Sequence, residues 1–304
     1  MSSPLYMWTS QAIREQCGEA YNVYKREKTE RAKAYFAEHP ELRDPEHEYK
    51  ANNIAAALPP GWEGLAELIP PKLRHRHFRS GNSSQMLALA LLGASRTLDP
   101  SHQWLWQAFG TLPSPAHQPP TGDIEVALEP DLLNEDPERV TSLDYRVIDE
   151  CLVMCIECKW TEAGIGACSC DRAGGDSAKG RCRAAVLKER PLYWATAKDV
   201  FFLPDRVDGK PCPLSPVYQA VRNVAAANAL RPPDGLGVFG LIYDADNPYF
   251  KACGEWPGWP DVLVEALDGH EKLRFRSTSW QQLIELMPLE DDVRAWAHEK
   301  HGLG

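Results

Sequence analysis

The stretch Cys151–Trp160, CLVMCIECKW, constrains this chain more than any other. It is apolar for most of its length, which reads as a buried strand, yet it closes on Glu157-x-Lys159. Side chains two apart share one face of a strand, so Glu157 and Lys159 point the same way. A carboxylate and an ammonium on a buried strand are costly unless both face partners. Just upstream, Leu143–Ile148 in SLDYRVID is a second short strand. A two-residue turn at Asp149–Glu150 would set Ile148 against Cys151 and Asp144 against Cys155. Asp144 and Glu157 then become diagonal neighbours on a face that also carries Cys155 and Lys159. Leu152, Met154, Ile156 and Cys158 take the other face and pack under a helix.

The rest of the chain supplies layers for this pair of strands. Residues 9–38 read as one long helix, capped by Thr9 or Ser10, with a narrow buried stripe of Ile13, Cys17, Tyr21, Tyr24, Lys28 and Ala32. Glu48–Leu58 reads as a shorter helix. The prolines of PPGWEGLAELIPP mark a soft boundary, giving an N-terminal helical extension over 1–70 and a main domain over 71–304. Gly81–Ser95 is a core helix capped by Ser83 or Ser84, with Gln85 in its first turn. HQWLWQAF is a helical turn. Asp123–Leu128 alternates as a strand, and Glu125 on it is a further candidate ligand. Pro216–Leu230 is an alanine-rich helix, Gly237–Tyr243 a buried strand, and Ser279–Met287 and Asp291–His301 are helices. This order implies an α/β sandwich built on a mixed sheet.

Composition limits the function. A chain of 304 residues with 43% hydrophobic and 25% charged residues is an ordinary globular protein. It has no apolar run of transmembrane length and no secretory signal, so the expected compartment is the cytoplasm. The net charge of −10 weighs weakly against a nucleic-acid partner, because binding needs only a local basic strip. The densest such strip is PKLRHRHFRSGN, where Lys72, Arg74, Arg76 and Arg79 could contact phosphates; a solvated turn is the alternative. Of nine cysteines, seven lie between Cys151 and Cys212. Cys168, Cys170, Cys182 and Cys212 could give four thiolates to a structural Zn²⁺ that orders a Gly-rich loop, or could be plain reduced thiols.

Asp144, Glu157 and Lys159 suit metal-assisted phosphodiester hydrolysis. Two nearby carboxylates repel unless a cation lies between them. Mg²⁺ (or Mn²⁺) prefers such oxygen ligands, retains waters and can activate one. A neighbouring lysine can orient that water or stabilise charge at phosphorus.

Asp144, a twelve-residue spacer and Glu157-Cys158-Lys159 together resemble the PD-(D/E)XK nuclease superfamily. Glu157–Glu162 (ECKWTE), Ser83-Ser84-Gln85 opening an apolar helix, Cys212-Pro213, and Tyr218-Gln219-x-x-Arg222-Asn223 are similar to its bacterial restriction-endonuclease-like branch. The likeness spans roughly residues 80–250; Asp144 follows leucine rather than proline. The resemblance implies a restriction-endonuclease-like mixed sheet flanked by helices. It also implies Asp144 and Glu157 as Mg²⁺ ligands, Lys159 assisting water, and Gln85, Gln219 and Arg222 approaching the metal or a phosphate. The expected substrate is nucleic acid, most readily DNA, in restriction or defence, and cutting both strands favours a homodimer. The alternative is a non-catalytic nuclease-like binding module with a structural zinc site.

Overall fold

The computed structural model describes Leu5 and residues 8–110, 125–128, 143–167, 192–204 and 213–304. Helix α1 (Ser10–Glu38) starts where Thr9 accepts a hydrogen bond from the Ala12 N–H at 3.1 Å. Its buried residues are Ile13, Cys17, Tyr21, Tyr24, Ala32, Tyr35 and Phe36. Steps of three and four residues put them on one stripe, as the sequence predicts. Helix α2 (Ser84–Leu98) is capped by Ser83 and buried at every position from Ser84 to Ser95. A short α3 (Gln103–Ala108) follows.

The expected helix over Glu48–Leu58 does not form; only Ala55–Ala57 makes a 3-10 turn. Tertiary contacts outcompete propensity there. The Arg79 guanidinium donates to the carbonyls of Ala51 (3.0 Å) and Asn52 (2.6 Å), and the Ala51 N–H donates to Arg79 O at 2.9 Å.

The five strands lie in the order β1 (Glu125–Leu128), β2 (Tyr145–Ile148), β3 (Leu152–Cys158), β4 (Leu236–Tyr243) and β5 (Leu273–Ser279). β1, β2 and β3 form an antiparallel meander, while β3, β4 and β5 run parallel. The sheet is therefore mixed. The parallel steps need crossovers. These carry α4 (Leu192–Asp199) and α5 (Tyr218–Leu230) between β3 and β4, and α6 (Trp259–Leu267) between β4 and β5. Helices α7 (Trp280–Leu286) and α8 (Asp291–His301) close the chain. The sequence reading omits α4, α6 and β5. β5 is polar enough, with Arg274 and Arg276 following Leu273 and Phe275 and then Ser277-Thr278-Ser279, to pass for a loop.

All seven residues of β3 are buried, so neither of its faces is open. Met154, Ile156 and Cys158 join a core with α2, Trp280, Trp296 and the end of α1. Val153 and Cys155 pack against Ala226 and Ala227 of α5. The small side chains of α5 let it close on the sheet: a Cβ at Gly237 would stand 2.7 Å from the Ala227 carbonyl. α1 contributes to the cores on both sides, Ile13–Tyr24 to one and Tyr35–Phe36 to the other. No helix among the described residues is long and apolar enough to cross a membrane.

Candidate active site

The β2–β3 connection is longer than the two-residue turn expected from the sequence. Ile148 pairs with Val153 and Tyr145 with Ile156. Asp149 explains the change. Its N–H donates to Leu152 O at 2.9 Å, and its carboxylate accepts from the N–H groups of Cys151 (2.6 Å) and Leu152 (2.7 Å). An aspartate that bonds its own following backbone stabilises a wider turn. The register moves by two residues, which preserves the face. One further step along it sets Asp144 opposite Glu157, closer than the diagonal placement. Asp144 is also tied to this strand directly, accepting from the Cys158 N–H at 2.6 Å.

Glu157 and Lys159 leave the end of β3 almost wholly buried, at 2% and 5% exposure, with Asp144 at 8%. Lys159 Nζ lies 2.6 Å from Glu157 Oε1 and donates to Gln219 Oε1 at 3.0 Å. The Gln219 amide nitrogen donates to the same Glu157 oxygen. Asn223 Nδ2 donates to Glu157 Oε2 at 2.8 Å. Gln219 and Asn223 stand four apart on α5 and so share its inner face. Gly166 seats Gln219: its carbonyl accepts the Gln219 N–H at 3.1 Å, its φ is +107°, and a Cβ there would collide with the Gln219 amide.

Burial draws the Lys159 ammonium down, but Glu157, Glu162 and Asp144 together outweigh it and hold the pKa above the ordinary lysine value. These three carboxylates thus favour Lys159 as a positive charge and hydrogen-bond donor.

The residues just after Lys159 are clamped from three directions. Glu162 accepts from the Trp160 N–H (2.6 Å) and from the Ser84 hydroxyl at the start of α2. From α1, Tyr21 donates to Thr161 O at 2.7 Å and Tyr24 to Trp160 O at 2.8 Å. Trp280 Nε1 donates to Lys159 O at 3.0 Å. Lys28 sits 4.3 Å from the Trp160 ring centroid and 2.7 Å from the fully buried Asp244. The stretch ECKWTE and the Ser83-Ser84-Gln85 segment, distant in sequence, therefore meet.

The remaining sequence-predicted residues fall as follows. Gln85 is 1% exposed and latches the basic loop: it accepts from the His75 N–H at 2.7 Å and donates to Leu73 O at 3.0 Å. Arg74 donates to the Ile69 and Ala66 carbonyls (2.9 and 2.6 Å), and Arg79 to Asp44, Ala51 and Asn52. Lys72 and Arg76 of this loop are exposed. Arg222 lies over the Tyr218 ring at 5.9 Å. Glu125 pairs with Ile148, at the end of the meander away from Asp144. Cys168, Cys170, Cys182 and Cys212 lie outside the described residues. Asn223 appears in the family-like pattern but sequence alone gives it no role. Its signal is a polar residue one turn after Gln219 on a helix face otherwise made of small apolar groups.

The donor set suits a hard divalent cation: two carboxylates on adjoining strands, with no soft ligand at the site. Among the described residues no group of three or more His, Cys, Asp and Glu side chains is placed to hold a metal ion together. A cation here would therefore draw on two protein carboxylates, Asp144 and Glu157, with the rest of its shell from water and substrate oxygens.

A family model described as restriction endonuclease associating with ARP matches residues 25–300. The chain belongs to this family. No curated protein and no solved structure gives a match. In this restriction endonuclease family member the matched span takes in Lys28 on α1, the Asp144–Glu157–Lys159 cluster, Gln219 and Asn223 on α5, and nearly all of α8.

Proposed function

We propose that the chain is a Mg²⁺- or Mn²⁺-dependent nuclease of PD-(D/E)XK type that hydrolyses phosphodiester bonds of DNA in restriction or defence. The observation that carries this reading is the buried contact of Glu157 with Lys159 beside Asp144, on the chain of a restriction endonuclease family. Asp144 and Glu157 would hold the cation. When bound there, it supplies a more acidic water and screens charge at phosphorus. Lys159 keeps its proton, so it donates to the attacking water or to a phosphate oxygen on which charge grows. Gln219 and Asn223 fix the plane of the Glu157 carboxylate. With a cation held by Asp144 and Glu157, the Lys159 ammonium, which also donates to Gln219, would be the positive charge available to substrate. Lys72 and Arg76 are the exposed charges available for the DNA backbone. Cys168, Cys170, Cys182 and Cys212 are proposed as a structural Zn²⁺ site, which metal analysis of the purified protein tests. The family description names ARP as an associate, so the chain is proposed to work beside an ARP partner.

One observation favours the second reading, a non-catalytic binding module. Both Glu157 oxygens already have donors within the protein. Incubating supercoiled plasmid, linear DNA and RNA with the protein and Mg²⁺ or Mn²⁺ separates the two. Cleavage that Glu157→Ala and Asp144→Asn abolish supports the nuclease. No metal-dependent cleavage of any substrate, with nucleic-acid binding unchanged in Glu157→Ala, leaves the binding module.

A further inference from the structure

Two cysteines stand apart from the cluster at 151–212, and the proposed chemistry uses neither. Cys17 lies on the buried stripe of α1, and Cys253 lies in the loop after β4. The fold sets the Cys253 thiol against the α1 backbone at Gln16, the residue before Cys17. The Cys17 thiol donates to Ile13 O at 3.1 Å, and the Cys253 thiol reaches Gln16 O at 3.6 Å. The loop is fitted to the helix around this contact. Cys253 and Trp256 exchange backbone hydrogen bonds of 2.8 and 3.1 Å, closing a tight turn. The Glu255 N–H donates to Gln16 Oε1 at 3.0 Å, and Gly254 sits at φ +60° where a side chain would strike the Gln16 amide. Both thiols are free.

We propose that Cys17 and Cys253 are a redox-modification site, a thiol pair that closes into a disulfide by exchange with a low-molecular-weight disulfide. The two thiols differ in the way such a pair requires. Cys253 is half-buried and meets solvent, whereas Cys17 is fully buried. Burial, with the neighbouring Cys253, pushes the Cys17 thiol up to about 11. Cys253 is therefore the entering nucleophile. Its thiolate attacks one sulfur of the small disulfide, forming a mixed disulfide and releasing one small thiol. The Cys17 sulfur then attacks Cys253 Sγ, its proton passing to the second small thiol as that leaves. Two protein thiols are oxidised and one small disulfide is reduced to two thiols. The bond would tie α1 to the loop after β4. α1 carries Tyr21, Tyr24 and Lys28, while the segment after β4 carries Asp244 and Asn247. Asn247 donates to Trp160 O and Glu162 O at 3.1 Å. Both arms of the clamp on residues 160–162 would thus be joined covalently.

The test is incubation of the full chain with mixtures of reduced and oxidised glutathione, followed by peptide mapping without reduction. A Cys17–Cys253 cross-linked peptide is expected, removed by dithiothreitol and absent from Cys17→Ala and Cys253→Ser. The oxidised parent should melt about 5 °C higher than the reduced one, and the oxidised Cys253→Ser variant should not. Should Cys17→Ala fail to fold, Cys253→Ser, at a half-buried position, carries the comparison. Glutathione accumulating on Cys253 with no cross-link, or neither thiol reacting in the folded protein, overturns the proposal.

Discussion

Asn223 is the residue whose loss should be felt most simply. It is fully buried, and its amide is the donor to Glu157 Oε2. Asn223→Ala leaves that oxygen buried without this donor, which costs about 1–3 kcal/mol; urea unfolding reads the loss directly. In the proposed enzyme the same change also lowers cleavage at saturating metal, because the carboxylate is no longer held in one plane. Lys159→Met is the harsher variant. It removes the cation 2.6 Å from a carboxylate that is 2% exposed, and breaking a buried pair from one side costs about 3–5 kcal/mol. A Lys159→Met protein as stable as the parent in urea would show that the pair is not the buried contact described. Asp144, Glu157 and Lys159 can be picked out in the sequence because strand alternation places them on one face, and Gln219 because the family resemblance implies it. Asn223 cannot, because its partner lies on another element and only the packing of α5 on β3 brings the two together. For Gln85 the resemblance implies an approach to the metal, and the structure adds hydrogen bonds to Leu73 and His75 that latch the basic loop.

At the scale of elements, α1 and the loop at 72–79 each carry a prediction. Lys28 pairs with Asp244, which is fully buried and also takes hydrogen bonds from Tyr24 (2.9 Å) and Gln281 (2.6 Å). Lys28→Ala should destabilise by about 3–5 kcal/mol. Lys33→Ala, which breaks only exposed pairs with Glu30 and Glu48, should leave stability nearly unchanged. Thermal melting of the two variants side by side checks the contrast; equal shifts would mean that α1 is not held by this pair. In the loop, Lys72→Glu with Arg76→Glu should weaken DNA binding and flatten its dependence on salt. Arg74→Ala should instead lower stability, since its guanidinium holds the Ala66 and Ile69 carbonyls. Element existence is plain where a period is strong, as in the α1 stripe and the all-apolar α2. It fails where side chains act on distant backbone, as with Arg79 over Ala51 and Asn52, and where a turn is widened by its own side chain, as at Asp149.

Across the whole molecule the mixed sheet is legible because β3 and β4 are apolar runs of strand length, and such runs need cover on both faces. How α1 and α8 complete that cover is not legible, because it depends on a charged residue in an apolar place. Lys300, on α8, is 1% exposed. Its amine donates to Ala57 O at 2.7 Å among the rings of Tyr35, Phe36 and Trp296, 4.9–5.4 Å away. Burial draws its pKa down to about 7. The unfolded chain holds that proton up to a pH of about 10.4. Above pH 7 the unfolded state therefore binds more protons than the folded one, and stability rises with pH by at most about 1.4 kcal/mol per unit. His301 beside it is pushed well below the ordinary histidine value by burial, then by Lys300, Lys28 and Arg31. It acts in the same direction but below a pH of about 6.5. The buried thiols Cys17 and Cys155 are pushed up by burial and oppose the trend only above a pH of about 8.5. The interval from pH 7 to about 8.5 thus isolates Lys300. Urea unfolding across it should show the parent gaining stability with pH. Lys300→Met, which keeps the apolar stem and removes the titrating group, should be flat over the same interval. Parallel slopes for the two proteins would show that this amine stays charged when folded, and that the rings around it accommodate a cation rather than a neutral base.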